Sequence, residues 1–155
     1  MCGWRLGFAT GQNEAMEGMD QFGDHPARAV AVQSMRAVEA GDRDGWLGLF
    51  VDDAIVEDPI GPSPMNPSGE PRRGIDAITE FYDNIIAMGR VRFAIRESYA
   101  TGNECANVGM ITVTFADGSC SRVEGVYTYV TDGNGKLVAL RAFWEFESMS
   151  FEAAT

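Results

Sequence analysis

The sequence predicts an α+β fold in which three N-terminal helices pack on a strongly curved, mostly antiparallel sheet, and three observations carry that prediction. Apolar residues recur at helical spacing as far as Met88, then alternate in strand fashion after Gly89. Turn chemistry returns three times in the second half, at Thr101-Gly102-Asn103, Asp117-Gly118-Ser119 and Asp132-Gly133-Asn134-Gly135, as an antiparallel meander requires. The chain has 155 residues, 45% apolar and 23% charged, which suits one ordered domain with a real core.

Residues 1 to about 23 are rich in Gly, Met and small polar residues without a sustained period, so a loose leader precedes a domain spanning 24–150. Asp24 is placed as an N-cap, with Pro26 in the first turn, where its missing N–H is harmless. Ala27, Val30, Ala31, Ser34 and Val38 then fall on one face, and Gly41 closes the helix, leaving Ser34 as the polar residue on an inward stripe. Asp42 to Gly45 opens a second, short helix presenting Trp46, Leu49 and Phe50 at i, i+3, i+4. The third helix is expected from Ile75 to Met88, with Ile78, Phe81, Tyr82 and Ile85 inward.

Between these helices lies Ala54-Ile55-Val56-Glu57-Asp58-Pro59-Ile60-Gly61, a short strand in which Ala54, Val56 and Asp58 share a face. An aspartate in line with Ala and Val, just before a proline, would stand at the mouth of a cavity with an altered proton affinity. Read alone, these residues fit an Asp-Pro turn in solvent better. The following stretch, Gly61 to Arg73, holds Pro62, Pro64, Pro67 and Pro71 and cannot be a sheet interior; it is a lid or a plain surface excursion. The expected later strands run through Val91–Arg96, Val108–Phe115, Ser121–Thr131 and Leu137–Glu147. The last sets Leu140, Ala142 and Trp144 on one face and Arg141 and Glu145 on the other.

A net charge of −11 argues against nucleic acid and anionic lipid as partners, but leaves a neutral apolar ligand open. Cys2, Cys105 and Cys120 show no CxxC spacing and cannot all pair, which suits thiols in a reducing cytoplasm. The single histidine, His25, has no second histidine to ligate with, so no metal or other cofactor is expected. Neither a signal peptide nor an apolar run of membrane-spanning length is read.

Several motifs then become recognisable together. The segment Glu39–Gly61, with Gly41-Asp42, Phe50-Val-Asp-Asp-Ala54 and Val56-Glu-Asp-Pro-Ile-Gly61, is followed by Gly74-Ile-Asp-Ala-Ile-Thr-Glu-Phe-Tyr82 and Leu140-Arg-Ala-Phe-Trp144. It closely resembles the bacterial ketosteroid isomerases of the NTF2-like, or SnoaL-like, superfamily, and more closely still a mycobacterial-type branch of isomerase-like proteins. The resemblance covers roughly Pro26 to Phe146, and Val-Glu-Asp-Pro-x-Gly is its specific part. It implies a cone-shaped α+β fold, a homodimer, and an aspartate base, here Asp58, that moves a proton between carbons beside an enone or dienol. The family stabilises the enolate oxygen with a first-helix tyrosine and a protonated aspartate on the third sheet strand. Those positions are Ser34 and Tyr127 here, so both donors are replaced.

Tyr127 is expected to donate a hydrogen bond to the anionic oxygen, and Tyr82 to reach the ligand past the short Ser34, directly or through a water. Tyr127 and Tyr129 are equally read as amphipathic core residues with a satisfied hydroxyl. Ser34, Phe50, Phe81, Met110, Tyr129 and Trp144 are the expected binding wall, with Trp144, Phe81, Phe50 and Met110 apolar in role. The leading functional reading is a steroid delta-isomerase-like enzyme acting on a 3-oxo steroid or similar polycyclic ketone. The alternatives are a non-catalytic steroid or polyketide carrier and a polyketide cyclase-like enzyme. Epoxide opening is disfavoured because Arg141 faces away from the cone. The homodimer is expected to form through the outer sheet face, with Arg122, Glu124, Val126, Thr128 and Val130 beside Arg141, Phe143 and Glu145.

Overall fold

The computed structural model describes residues 18–155. Helix α1 (Pro26–Ala40) begins as the proline requires, but its cap is His25 rather than Asp24, with Nδ1 accepting from the Ala27 N–H at 3.1 Å. It ends at Gly41 in the left-handed region (φ 67°), as the periodicity implied. Helix α2 (Arg43–Leu47) is capped by Asp42, which accepts from the Gly45 N–H at 3.0 Å. Helix α3 (Ile75–Asn84) is shorter than expected, because the chain tightens into a 3₁₀ turn at Ile86–Met88.

The strands are β1 (Phe50–Glu57), β2 (Arg72–Arg73), β3 (Arg90–Thr101), β4 (Glu104–Thr114), β5 (Cys120–Thr131), β6 (Leu137–Phe143) and β7 (Ser150–Glu152). Their spatial order is β2-β1-β6-β5-β4-β3, with β7 also pairing β5. The expected meander is present as antiparallel β3–β4, β4–β5 and β5–β6 pairs, while β1 joins the edge of β6 in parallel. The chain thus forms an α+β cone whose sheet curls around the helices. Gly109 and Gly125 lie opposite each other at the bend. An added Cβ would sit 2.2 Å from the Ala94 carbonyl oxygen at the first and 2.6 Å from that of Phe143 at the second, so only glycine lets the backbones close here.

Met35, Trp46, Val56, Ile78 and Leu137 form the fully buried centre of the core. Of the leader expected over residues 1 to about 23, residues 1–17 lie outside the described part. Gly18–Phe22 forms a 3₁₀ helix that buries Met19, and Arg28 ties this segment down by donating to the Gly23 carbonyl at 2.8 Å. Cys105 is a buried free thiol, whereas Cys120 is disulfide-bonded, which corrects the reading of all three cysteines as thiols. Among the described residues no helix is long and apolar enough to cross a membrane.

Candidate functional site

Strand β1 alternates as its sequence dictates. Ala54 and Val56 are fully buried on the inner face, while Glu57 turns to the other side and pairs with Arg141, its neighbour on β6. Asp58 continues the inner row. The Asp58–Pro59 peptide is cis, and the next N–H, that of Ile60, donates to the Ala142 carbonyl at 3.0 Å, so the chain stays beside β6. The inner row of β6 brings Trp144 to the same place, and its indole Nε1–H donates to Asp58 Oδ1 at 2.6 Å. Asp58 therefore stands at a cavity wall and not in a solvent turn. Burial raises its proton affinity above that of an ordinary carboxylate, an effect only partly opposed by the Trp144 bond and the positive charge of Arg72.

The cavity measures about 400 Å³, within the usual range for small-molecule sites. Its wall is almost wholly apolar, with contributions from α1, α3, the inner sheet face and the segment after β6. The polar side chains that reach it are Ser34, Asp58, Ser121, Tyr127 and Tyr129, besides the indoles of Trp46 and Trp144. The Tyr127 hydroxyl donates to the Val123 carbonyl at 3.3 Å, a long bond that a better acceptor would displace. Burial and the nearby Asp58 charge push both tyrosine phenols above their ordinary pKa, so they are neutral donors across the physiological range. Ser34 Oγ accepts from Trp46 Nε1 at 3.0 Å, and both residues are 1% exposed. Accepting this bond leaves the serine O–H available as a donor.

The structure thus brings Asp58, Tyr127, Ser34, Phe81, Tyr129 and Trp144 around one space. Three other expected site residues lie elsewhere. Phe50 is buried behind Trp46, edge-on to it at 4.7 Å between ring centroids. Tyr82 packs its ring on Trp46 at 5.5 Å, and the charges that act on its phenol are those of Asp42, Arg43 and Asp83, away from the cavity. The large indole of Trp46, bonded to Ser34, fills the space through which Tyr82 was expected to reach the ligand. Met110 falls between Gly109 and Ile111 on β4, and since Ile111 lines the cavity, strand parity turns Met110 to the outer face.

Three residues were missed or misjudged from sequence. Trp144 was read as apolar wall, yet a tryptophan N–H in an apolar site calls for an acceptor, and Asp58 was the candidate in reach of the same sheet face. Trp46 carried the same signal. Arg72, hidden in the proline-rich stretch, had none. At the open end, Met88, Phe146, Met149 and Phe151 form an apolar rim.

A carboxylate with raised proton affinity, facing an apolar space beside neutral hydroxyls, is equipped to take a proton from a weak carbon acid and to hold the resulting oxyanion. Comparison with known proteins gives the same direction. Residues 31–147 match the SnoaL-like domain. The Delta 5-3-ketosteroid isomerase from Mycobacterium sp. is 37% identical, superimposing with a TM-score of 0.79 over 83% of this chain and 100% of its own. RV0760c from Mycobacterium tuberculosis is 36% identical, with a TM-score of 0.78 over 82% of this chain and 96% of its own, and has also been solved with estradiol-17beta-hemisuccinate. A computationally designed 17-OHP binder is 34% identical, with a TM-score of 0.79 over 83% of this chain and 100% of its own.

Proposed function

Since the chain belongs to the SnoaL-like domain family, with a mycobacterial ketosteroid isomerase among its structural relatives, we propose that it is a steroid delta-isomerase-like enzyme. Its substrate in this reading is a 3-oxo-Δ5 steroid or a similar flat polycyclic ketone. The carbonyl end lies near Ser34, Tyr127 and Tyr129, and the ring system against Phe81 and Trp144. Asp58, ionised, takes the proton from the carbon between the carbonyl and the double bond, and the electron pair moves onto the carbonyl oxygen. Hydroxyl donors stabilise that oxyanion. Protonated Asp58 then returns the same proton to the far carbon of the dienolate, so the double bond shifts and nothing is consumed. No cofactor takes part.

The observation that carries this reading is the Asp58 carboxylate, set in an apolar cavity with its Oδ1 held by Trp144. Losing one preorganised oxyanion donor typically costs about 2.7 to 4 kcal/mol of barrier. Replacement of both family donors therefore predicts slow turnover, sustained by the tyrosines and Ser34. The test is absorbance-monitored isomerisation of a 3-oxo-Δ5 steroid, in which Tyr127→Phe is expected to be slower by roughly tenfold or more.

A second reading, a carrier of the same ligands, is favoured by the hydrogen bond that Tyr127 spends on Val123. Tight steroid binding without turnover in the wild type decides for it. In either case we propose a homodimer through the outer sheet face, where Phe143 is 51% exposed beside Val126, Thr128 and Arg141. Sedimentation as a monomer at micromolar concentration would refute that assembly.

A further inference from the structure

The proline-rich stretch between β1 and β2, read from sequence as a lid or a plain surface excursion, is braced by its own hydrogen bonds. Ser63 and Asn66 exchange backbone hydrogen bonds at 3.1 and 3.0 Å, the Gly69 N–H reaches the Asn66 carbonyl at 3.0 Å, and Asn66 Nδ2 donates to the Glu70 carbonyl at 2.9 Å. This braced loop ends in β2, where Arg72 lies directly opposite Val56. Paired residues of an antiparallel ladder point to the same side, so Arg72 shares the inner face with Val56 and is the diagonal neighbour of Asp58. Its guanidinium lies 4.7 Å above the Phe81 ring, and Nη2 donates to the Met65 carbonyl at 3.1 Å. Both Phe81 and Met65 line the cavity. Nη1 is buried without a hydrogen-bond partner, and Arg72 forms no ion pair among the described residues.

A half-buried guanidinium with one nitrogen cut off from water costs free energy unless something of opposite charge is near, and a neutral ring and a carbonyl do not neutralise it. We infer that Arg72 is the counter-charge of Asp58, a positioning residue delivered by the proline-rich loop to keep the base ionised while it faces an apolar ligand. Asp58 otherwise bonds Trp144 after β6 and shares the cavity with Phe81 of α3 and with Tyr127 and Tyr129 of β5, on whose phenols its charge acts. Both tyrosines are neutral. Glu57 and Arg141 face outward and satisfy each other. Among the described residues Arg72 is thus the one cation that acts on this carboxylate from the inner side, and the Coulombic effect of each on the other has the corresponding sign. The inference rests on Asp58 being the working carboxylate, but its test needs no turnover.

Trp144 donates its indole N–H to Asp58, so protonation of Asp58 alters the fluorescence of that indole. The experiment is a pH titration of tryptophan emission in the wild type, Arg72→Met, Arg72→Lys and Asp58→Asn, with Trp144→Phe assigning the signal. Removing a positive charge at diagonal spacing disfavours the carboxylate, so Arg72→Met is expected to move the midpoint upward by roughly half a unit to one unit. Arg72→Lys, which keeps the charge but not the fork, returns it towards wild type, and Asp58→Asn abolishes the transition. Arg72→Gln, which retains a donor for the Met65 carbonyl, gives the same comparison if Arg72→Met does not fold. An unchanged midpoint in either neutral variant would overturn the inference even if the enzyme proves to be an isomerase. An upward shift in a protein that never turns over a steroid would leave it standing.

Discussion

Replacing Ser34 with alanine isolates a single hydroxyl on the cavity wall. In the wild type its oxygen accepts the Trp46 N–H at 3.0 Å, and both side chains are 1% exposed, so the methyl group of alanine leaves a buried indole donor with no acceptor. An orphaned buried donor costs about 1 to 3 kcal/mol, more than the roughly 1 kcal/mol net worth of the bond itself. The lower half of that range applies here, because Ser34 lies on the cavity wall and solvent in the cavity can reach the freed N–H. For a domain of this size, 1 kcal/mol lowers Tm by about 2–4 °C, so Ser34→Ala is expected to melt roughly 2–8 °C lower. Trp46→Phe should lose more, because it also empties part of the space filled against Phe50, Phe81 and Tyr82. In the double variant the two losses should fall short of additivity by about 1 kcal/mol, which thermal or urea unfolding measures directly. Strict additivity, or a Ser34→Ala protein as stable as wild type, would refute the Trp46–Ser34 pairing.

Three further predictions follow from the same geometry. Burial raises the proton affinity of Asp58 in the folded state, so the native protein holds this proton more tightly than the unfolded chain. The stability cost is absent below the ordinary carboxylate range and grows as pH rises through the folded pKa. Asp58→Asn should therefore melt higher than wild type at pH 7, with the difference vanishing in acid; equal melting at both pH values would contradict the raised affinity. Gly125→Ala places a Cβ 2.6 Å from the Phe143 carbonyl oxygen and 3.0 Å from Trp144 Cβ, and should cost about 1–3 kcal/mol while displacing the indole from Asp58. Retention of full stability and of the wild-type emission spectrum would count against the close packing at the bend. Trp144→Phe deletes the bond to Asp58 and should lower steroid turnover at neutral pH by shifting the base towards its protonated form, an effect that higher pH partly restores.

How far the sequence announced this site varies with the kind of signal each residue carried. Ser34 and Asp58 were legible because each interrupts an apolar stripe whose period was clear, one on α1 and one on β1. The β3–β4–β5–β6 meander followed from its turns. The parallel pairing of β1 with β6 did not, since a contact between Val56 and Leu140 leaves no local trace. Nor did β2, which is two residues long. Met110 was misplaced because β4 is apolar on both faces, with Val108 and Met110 on one and Ile111 and Val113 on the other, so composition alone does not set its parity. Tyr82 was expected to come forward past a small serine, but Trp46 fills that space first, a tertiary choice that spacing along a helix does not reveal. The chemistry of Trp144 and Arg72 depends on which strands neighbour β1, and it became visible only once the sheet order was known.

The most direct test of Asp58 as the base is proton transfer at the ligand itself. A 3-oxo-Δ5 steroid deuterated at the carbon between the carbonyl and the double bond is incubated with wild type and with Asp58→Asn, and the position of the label in the product is read by NMR. The wild type is expected to carry label from the donor carbon to the acceptor carbon, diluted only by exchange at Asp58, and Asp58→Asn to lose roughly a hundredfold or more of the rate. Isomerisation by Asp58→Asn at the wild-type rate would contradict the assignment of Asp58 as the base.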